Sequence, residues 1–559
     1  MPGRFRRHAL KIALSIFAAA LAVGLLSEAE WIARCYGPAT RQQPLSADYL
    51  TFLRESAKPL FKIETIGGRP VLVQNDTIWK LEKHQILPLI KPPGVRRILI
   101  AGESSADDLG DALQQEIKVG PSPGNYQVLN CALGGADLDL VERHFNECMK
   151  YAPDAVIFLF GHNLYYSHPD ASPLLLRLIL WTRKSALISY LSVFDPNQDY
   201  EDAKRWRALE SFIDTMASET KARGLPLILS TVPSNLWVEP QSNAGDDFAP
   251  VYLEARYEYA SGRREQAIAR LTQALESHPS ALWHFTLGGW LYREDAWQKA
   301  YAQLTLARDI DPARMRASTA VNTLIRRAAV RDGAMLVDAE QIIEEQAPHG
   351  IPGWENLYDS QHVTYRNFQE LAHFCALQLM DNGWSGLAPK TYRFAPLFPP
   401  LKYWEISDIF KVVPRTTPSG WRGFSYFAGR HLPQLRAQAD SLFPRAFPNP
   451  KKRSAAFLGL AEALWRAGRH GEARAANKKA GLIFPGWADP YIQSGFFDIQ
   501  ENRRANALKY FRQALKENPG DPRALFLSRR LEGAAYSSLR AESAVQRPTK
   551  STNPSMAGA

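Results

Sequence analysis

From residue 95 onward the chain alternates short, largely apolar runs with longer stretches of helix-like spacing. The runs at 97–101, 126–130, 154–160 and 225–232 are rich in Ile, Leu, Val and Phe and too short for helices. Such runs predict strands covered on both faces. Between them, 106–117, 138–151 and 203–223 predict helices. Buried strands alternating with helices predict a parallel sheet with helices on both faces, and sites in such sheets form at the carboxyl ends of strands. The pattern breaks off near 250 and resumes with a helix ending at Arg331, a run at 334–338 and a helix over 367–379. Upstream, 61–66 and 70–74 flank Gly67-Gly68, which predicts a hairpin.

The interruption has its own period. Ala267, Leu271, Ala274 and Pro279 recur as Ala300, Leu304, Ala307 and Pro312. A second set runs Ala461, Ala473, Ala480, Pro485 and then Gly495, Ala507, Phe511, Ala514, Pro519. Small residues at fixed places let paired helices approach closely, and proline closes each pair. These sets resemble the tetratricopeptide repeat, which implies a surface that binds a protein partner or a polymer.

Net charge is +10, but the basic residues are dispersed, which predicts solvated helix faces and no nucleic-acid footprint. The four cysteines, Cys35, Cys131, Cys148 and Cys375, show no zinc spacing and define no disulfide framework. Arg4, Arg6, Arg7 and Lys11 precede an uncharged apolar run from Ile12 to Leu26. This predicts an uncleaved signal anchor with the rest exported, a cleavable signal peptide being the alternative.

Four short words then stand in order: Gly102-Glu103-Ser104-Ser105, Gly134-Gly135, Gly161-His162-Asn163 and Asp359-Ser360-Gln361-His362. All but the last follow predicted strands. Together they supply what ester hydrolysis needs. Ser104 is the candidate nucleophile, although a serine there can simply cap the next helix. His362 is the candidate base, and Asp359 orients it. The candidate oxyanion donors are the Ser104 amide, an amide of the Gly134-Gly135 pair and the Asn163 side chain. Glu103, Asp107, Asp108 and Asp111 are read as acids complementing a helix dipole, with no metal assigned.

The four words resemble the blocks of the SGNH, or GDSL-type, hydrolase superfamily, over about 95–245 and 314–382. The second block is carried by Asn130-Cys-Ala-Leu-Gly-Gly135, and this match selects Gly135 as the donor. Glu103 replaces the usual Asp, Leu164 a common acid and Val363 a common proline. The resemblance implies a three-layer α/β/α parallel sheet of flavodoxin-like type, an acyl-enzyme and no cofactor. The layout also resembles an exported bacterial subgroup that joins this hydrolase to tetratricopeptide repeats, and Thr231-Val-Pro-Ser-Asn235 fits it. It implies a single-pass inner-membrane protein with its catalytic part in the periplasm, acting on an acylated small molecule, lipid or glycan. An O-acyltransferase of envelope polysaccharide, or an inactive-hydrolase scaffold, are the alternatives.

The expected organisation is a basic N-terminus (1–11), an anchor (12–27) and a juxtamembrane β element (28–94). The hydrolase follows in two parts (95–246 and 314–385) around inserted repeat helices (247–313). An irregular linker (386–450), C-terminal repeats (451–536) and a disordered tail (537–559) complete the chain.

Overall fold

The computed structural model describes residues 58–75, 85–166, 198–241, 243, 245–387, 425, 428–429 and 431–545. They divide into two units, with the chain passing between them at Gln241/Ser242 and at Ala307/Arg308. The tail beyond 545 and most of the linker lie outside the described residues.

The first unit begins with the hairpin. Strands β1 (Phe61–Ile66) and β2 (Arg69–Gln74) pair antiparallel about Gly67-Gly68. A third strand, β3 (Ile86–Pro88), joins β2 and was not foreseen. The main sheet has five parallel strands: β4 (Arg96–Gly102), β5 (Tyr126–Asn130), β6 (Ala155–Leu159), β7 (Leu227–Ser230) and β8 (Met335–Val337). Their spatial order is β5-β4-β6-β7-β8, so the winding direction reverses after β5. A crevice opens outside the carboxyl ends of strands at such a reversal.

The strands are apolar because both faces are covered. Ile98, Leu99, Ile100, Val156, Ile157 and Phe158 are all fully buried. Helices α1 (Ser104–Val119) and α10 (Tyr365–Asp381) pack on each other, and α2 (Leu138–Cys148), α3 (Gln198–Ala222) and α8 (Thr319–Asp332) pack together as a second group. Both β4 and β8 touch a helix of each group, which places one group on each face. A short α9 (Ala339–Gln346) is capped by Asp338. At the end of β4 only glycine fits: Gly102 has φ +150°, and a Cβ there would lie 1.9 Å from the Leu159 carbonyl oxygen.

The second unit is all helical: α4 (Pro250–Ala260), α5 (Arg264–Ser277), α6 (Ala281–Arg293), α7 (Trp297–Asp309), and then α11 (Leu432–Ala446), α12 (Pro450–Arg466), α13 (His470–Ile483), α14 (Asp489–Gln500), α15 (Arg504–Glu517) and α16 (Pro522–Val545). The repeated small residues sit where helices cross. Ala267, Ala300, Ala473, Ala507 and Ala514 are fully buried. A Cβ on Gly495 would come within 2.3 Å of the Phe511 ring.

The two repeat segments, expected to be separate, share one unit. Helix α4 packs against α14 and α16. Arg530 pairs with Glu254 at 3.0 Å, Arg256 lies 4.8 Å over the Phe496 ring, and Tyr257 joins the core of Phe496 and Phe511.

The expectation of an inner-membrane anchor with an exported, periplasmic catalytic part is corrected. No helix among the described residues is long and apolar enough to cross a membrane. The run from Ile12 to Leu26 lies outside those residues, and it falls short of the roughly 20 apolar residues a span requires.

Candidate active site

Ser104 is the first residue of α1, at the carboxyl end of β4. Glu103 holds the N-cap position and its side chain makes no capping bond. The Ser104 hydroxyl therefore has no capping role and lies 2.7 Å from Nε2 of His362. Nδ1 of His362 is 2.7 Å from Oδ2 of Asp359, and Oδ1 of Asp359 accepts the backbone N–H groups of Gln361 and His362 at 2.8 and 2.7 Å. The turn is closed by a Leu357–Val363 bridge and by the Tyr358 N–H donating to the His362 carbonyl at 3.0 Å. Val363, in place of proline, supplies that bridge and is buried.

The electrostatics of this row are coherent. Burial raises the Asp359 carboxyl, but the His362 charge and the hydrogen bonds outweigh it and leave it below the usual carboxylate value. Burial pulls the His362 imidazole down, yet Asp359, Asp108 and Glu103 push it up to about 9. Both directions describe an imidazolium–carboxylate pair.

Asn163 lies in the turn after β6, and its side-chain amide donates to the Ala136 carbonyl at 2.9 Å. A primary amide carries two hydrogens, so one remains for a further acceptor. Gly135 lies in the loop between β5 and α2 with φ +73°. The Ser104 amide opens a helix, where N–H groups have no intrahelical partner and attract negative charge.

Sequence reasoning missed how the Asn163 turn is held. The fully buried Glu103 carboxylate accepts the backbone N–H groups of Gly161, His162 and Asn163 at 2.8–3.0 Å. Burial pushes this carboxyl up to about 7 against the pull of those bonds. Asp107 is likewise engaged, accepting from the Asn130 amide at 2.8 Å. Burial and the neighbouring Asp108 and Asp111 push it up to about 7. Glu103 and Asp107 therefore do more than complement a dipole. Among the described residues no group of three or more His, Cys, Asp or Glu is placed to hold a metal. Leu164, where an acid is common, is buried in the apolar core.

His162 is buried with Nδ1 accepting the Ala317 N–H at 3.0 Å, a structural role. His144 is buried too, and burial lowers it to about 4. The sequence leaves the pairing of the cysteines open, and the structure settles it: Cys131, in the Gly135 loop, forms a disulfide with Cys148 at the end of α2, while Cys375 is free and buried. Their separation of 17 residues carries no recognisable spacing, and the helix folding back brings them together.

Comparison with known proteins bears on the second unit. The tetratricopeptide-repeat family model matches residues 252–314 and 442–482, so the chain contains tetratricopeptide repeats. Among solved structures it is similar to the human IFIT1 dimer with m7Gppp-AAAA (16% identity, 52% of this chain and 66% of that chain, TM-score 0.17). It is also similar to yeast Tom70 (14% identity, 73% and 89%, TM-score 0.16) and to the APC/C hetero-tetramer Cut9-Hcn1 (13%, 66% and 64%, TM-score 0.17). The chain spans just under two thirds of the IFIT1 chain it matches. No curated protein sequence matches. The acylated lipid or glycan substrate finds no support in these matches, and it falls with the envelope location from which it was drawn.

Proposed function

We propose that the α/β unit is a serine hydrolase of the SGNH type, cleaving carboxylic esters through an acyl-enzyme, and that the repeats bind a protein partner. The observation that carries this reading is the 2.7 Å approach of the Ser104 hydroxyl to His362 Nε2, with Asp359 behind it. The strand order, with Ser104 at the reversal, also fits the flavodoxin-like arrangement.

In the proposed reaction, Ser104 Oγ attacks the ester carbonyl carbon while His362 Nε2 takes its proton. Asp359 stabilises the imidazolium without taking that proton. Charge on the carbonyl oxygen is met by the Ser104 amide, Gly135 and Asn163. His362 then protonates the departing alkoxide, leaving an acyl-Ser104 ester. A water, deprotonated by the same imidazole, attacks that ester and releases the acid and the free serine.

The test is labelling of the full chain with a fluorophosphonate, with the modified peptide located by mass spectrometry. Label at Ser104, absent in Ser104→Ala, is expected. A folded protein without label at Ser104 would overturn the hydrolase reading and leave the repeats as the functional part.

A further inference from the structure

We propose that Asn235 is a positioning residue that docks the Asp359–His362 turn on the segment following β7 and so keeps His362 in line with Ser104. The inference rests on the hydrolase reading above. Within the turn, Asp359 and His362 find each other through local bonds only three residues apart. Ser104 is 258 residues away in sequence, so its distance to His362 depends on where the turn is seated.

Asn235 provides that seat. It is fully buried, its side-chain amide donates to the Asp359 carbonyl at 2.9 Å, and its backbone N–H donates to the Ser360 carbonyl at 3.2 Å. Its Oδ1 accepts the Trp237 N–H at 2.9 Å. The amide gives one donor and one acceptor there; Asp lacks the donor and Leu lacks both.

Asn235 is itself anchored. Nη1 of the buried Arg316 donates to the carbonyls of Asn235 and Val238 at 2.9 and 3.3 Å, and Nη2 donates to Asp311 at 2.8 Å. The other oxygen of Asp311 accepts the N–H groups of Gln241 and Ala313, both at 3.0 Å. The segment before the Gln241/Ser242 passage and the segment after Ala307/Arg308 are thus tied together within the α/β unit, directly behind the acid–base turn. The next residue, Ala317, bonds His162 beside Asn163.

The experiment compares full-length wild type, Asn235→Leu, Arg316→Lys and Asp359→Asn. Two quantities are read: the rate of fluorophosphonate labelling of Ser104 across pH, and amide hydrogen exchange in peptides covering 356–364. Asn235→Leu is expected to slow labelling by about 10²-fold, the scale of a small misplacement of reacting groups. Its pH midpoint should stay at the wild-type value, because the Asp359–His362 contact is internal to the turn. Exchange should rise in 356–364 and not in the β5–α2 loop. Arg316→Lys, which keeps the buried charge, should show the same pattern more weakly, and it decides the matter if Asn235→Leu does not fold. Wild-type labelling and exchange in the variants would overturn the proposal, as would a midpoint that moves as it does in Asp359→Asn. If the wild type itself takes no label, the hydrolase reading fails, and the exchange of 356–364 alone decides whether Asn235 holds the turn.

Discussion

The two units differ in what their buried charges mostly hold. In the α/β unit, the buried charged groups around the candidate site bond to backbone, and Arg316 and Asp359 pair with a charged side chain as well. Glu103 holds the 161–163 turn, Asp359 holds its own turn, and Arg316 holds the carbonyls of Asn235 and Val238. In the repeat unit, buried charges pair mainly with charged side chains, some on a neighbouring helix and some only a few residues away. Arg523 meets Asp489 and Asp521, Asp498 meets Arg474 and Arg503, and Glu258 meets Arg270. A charge bonded to backbone fixes the path of a loop. A charge bonded to a charge fixes only how two helices cross. Damage in the first unit should therefore appear as lost chemistry, and damage in the second as lost stability.

The sharpest break in the first unit is Asp359→Asn. Without the carboxylate, His362 loses its strongest upward influence while burial still pulls it down, so it should titrate below the wild-type value of about 9, with Asp108 and Glu103 still holding it up. Wild-type labelling or ester hydrolysis should rise with pH as His362 loses its proton near 9. In the variant that inflection should move to lower pH while the plateau falls by roughly 10⁴-fold, the scale seen when a triad acid becomes an amide. An unmoved inflection in the pH–rate profile would remove Asp359 from the site.

The repeat unit should break differently. Phe511 is fully buried against Phe496 and close to Gly495. Phe511→Ala should cost about 3–5 kcal/mol, the range for emptying an aromatic site in a core. Hydrogen exchange should rise across α14–α16, with Ser104 labelling at the wild-type rate. A parallel loss of labelling would mean that the units do not respond separately.

Much of this was legible in the chain, and what was hidden has a common cause. Strand β5 spans 126–130 as its apolar run predicts, and the hairpin turns at Gly67-Gly68. The four short words fall at the ends of elements, and three of their residues form one hydrogen-bonded row. Period and motif spacing are local properties, so they survive in the sequence. Partnerships across the chain leave no period. Glu103 reaches residues 58–60 positions away, and Asn235 reaches Asp359 across 124. The Cys131–Cys148 bond and the union of the two repeat segments were hidden for the same reason. One signal did exist: Glu103 directly follows the largely apolar strand β4, where a polar group must find a partner once buried.

The smallest effect follows from the same contrast and concerns pH. In the α/β unit, His362 is raised from 6.5 to about 9, Glu103 from 4.5 to about 7 and Asp107 from 3.8 to about 7. Each raised group binds its proton more tightly when folded. Its stabilisation is complete below the unfolded value and is lost as pH rises through the folded one. The carboxyls lose theirs on the way to pH 7, and His362 loses its own between about 7 and 9. In the repeat unit the direction reverses at Glu258, whose hydrogen bonds from Arg270 hold it below 4.5; its contribution is present above that value and fades in acid. Raising the pH should therefore loosen the α/β unit while leaving the repeats intact. Limited proteolysis at about pH 5, 7 and 9, with cut sites mapped by mass spectrometry, reads the two units separately. From 7 to 9, cutting within the α/β unit should increase, by an amount equivalent to roughly 2 kcal/mol for the one raised histidine. His362→Gln should remove most of that increase, leaving only the remainder from Glu103 and Asp107, because glutamine has no proton to lose in this range. An increase of equal size in His362→Gln would show that another group carries the alkaline loss and that the imidazolium–carboxylate pair does not stabilise the fold.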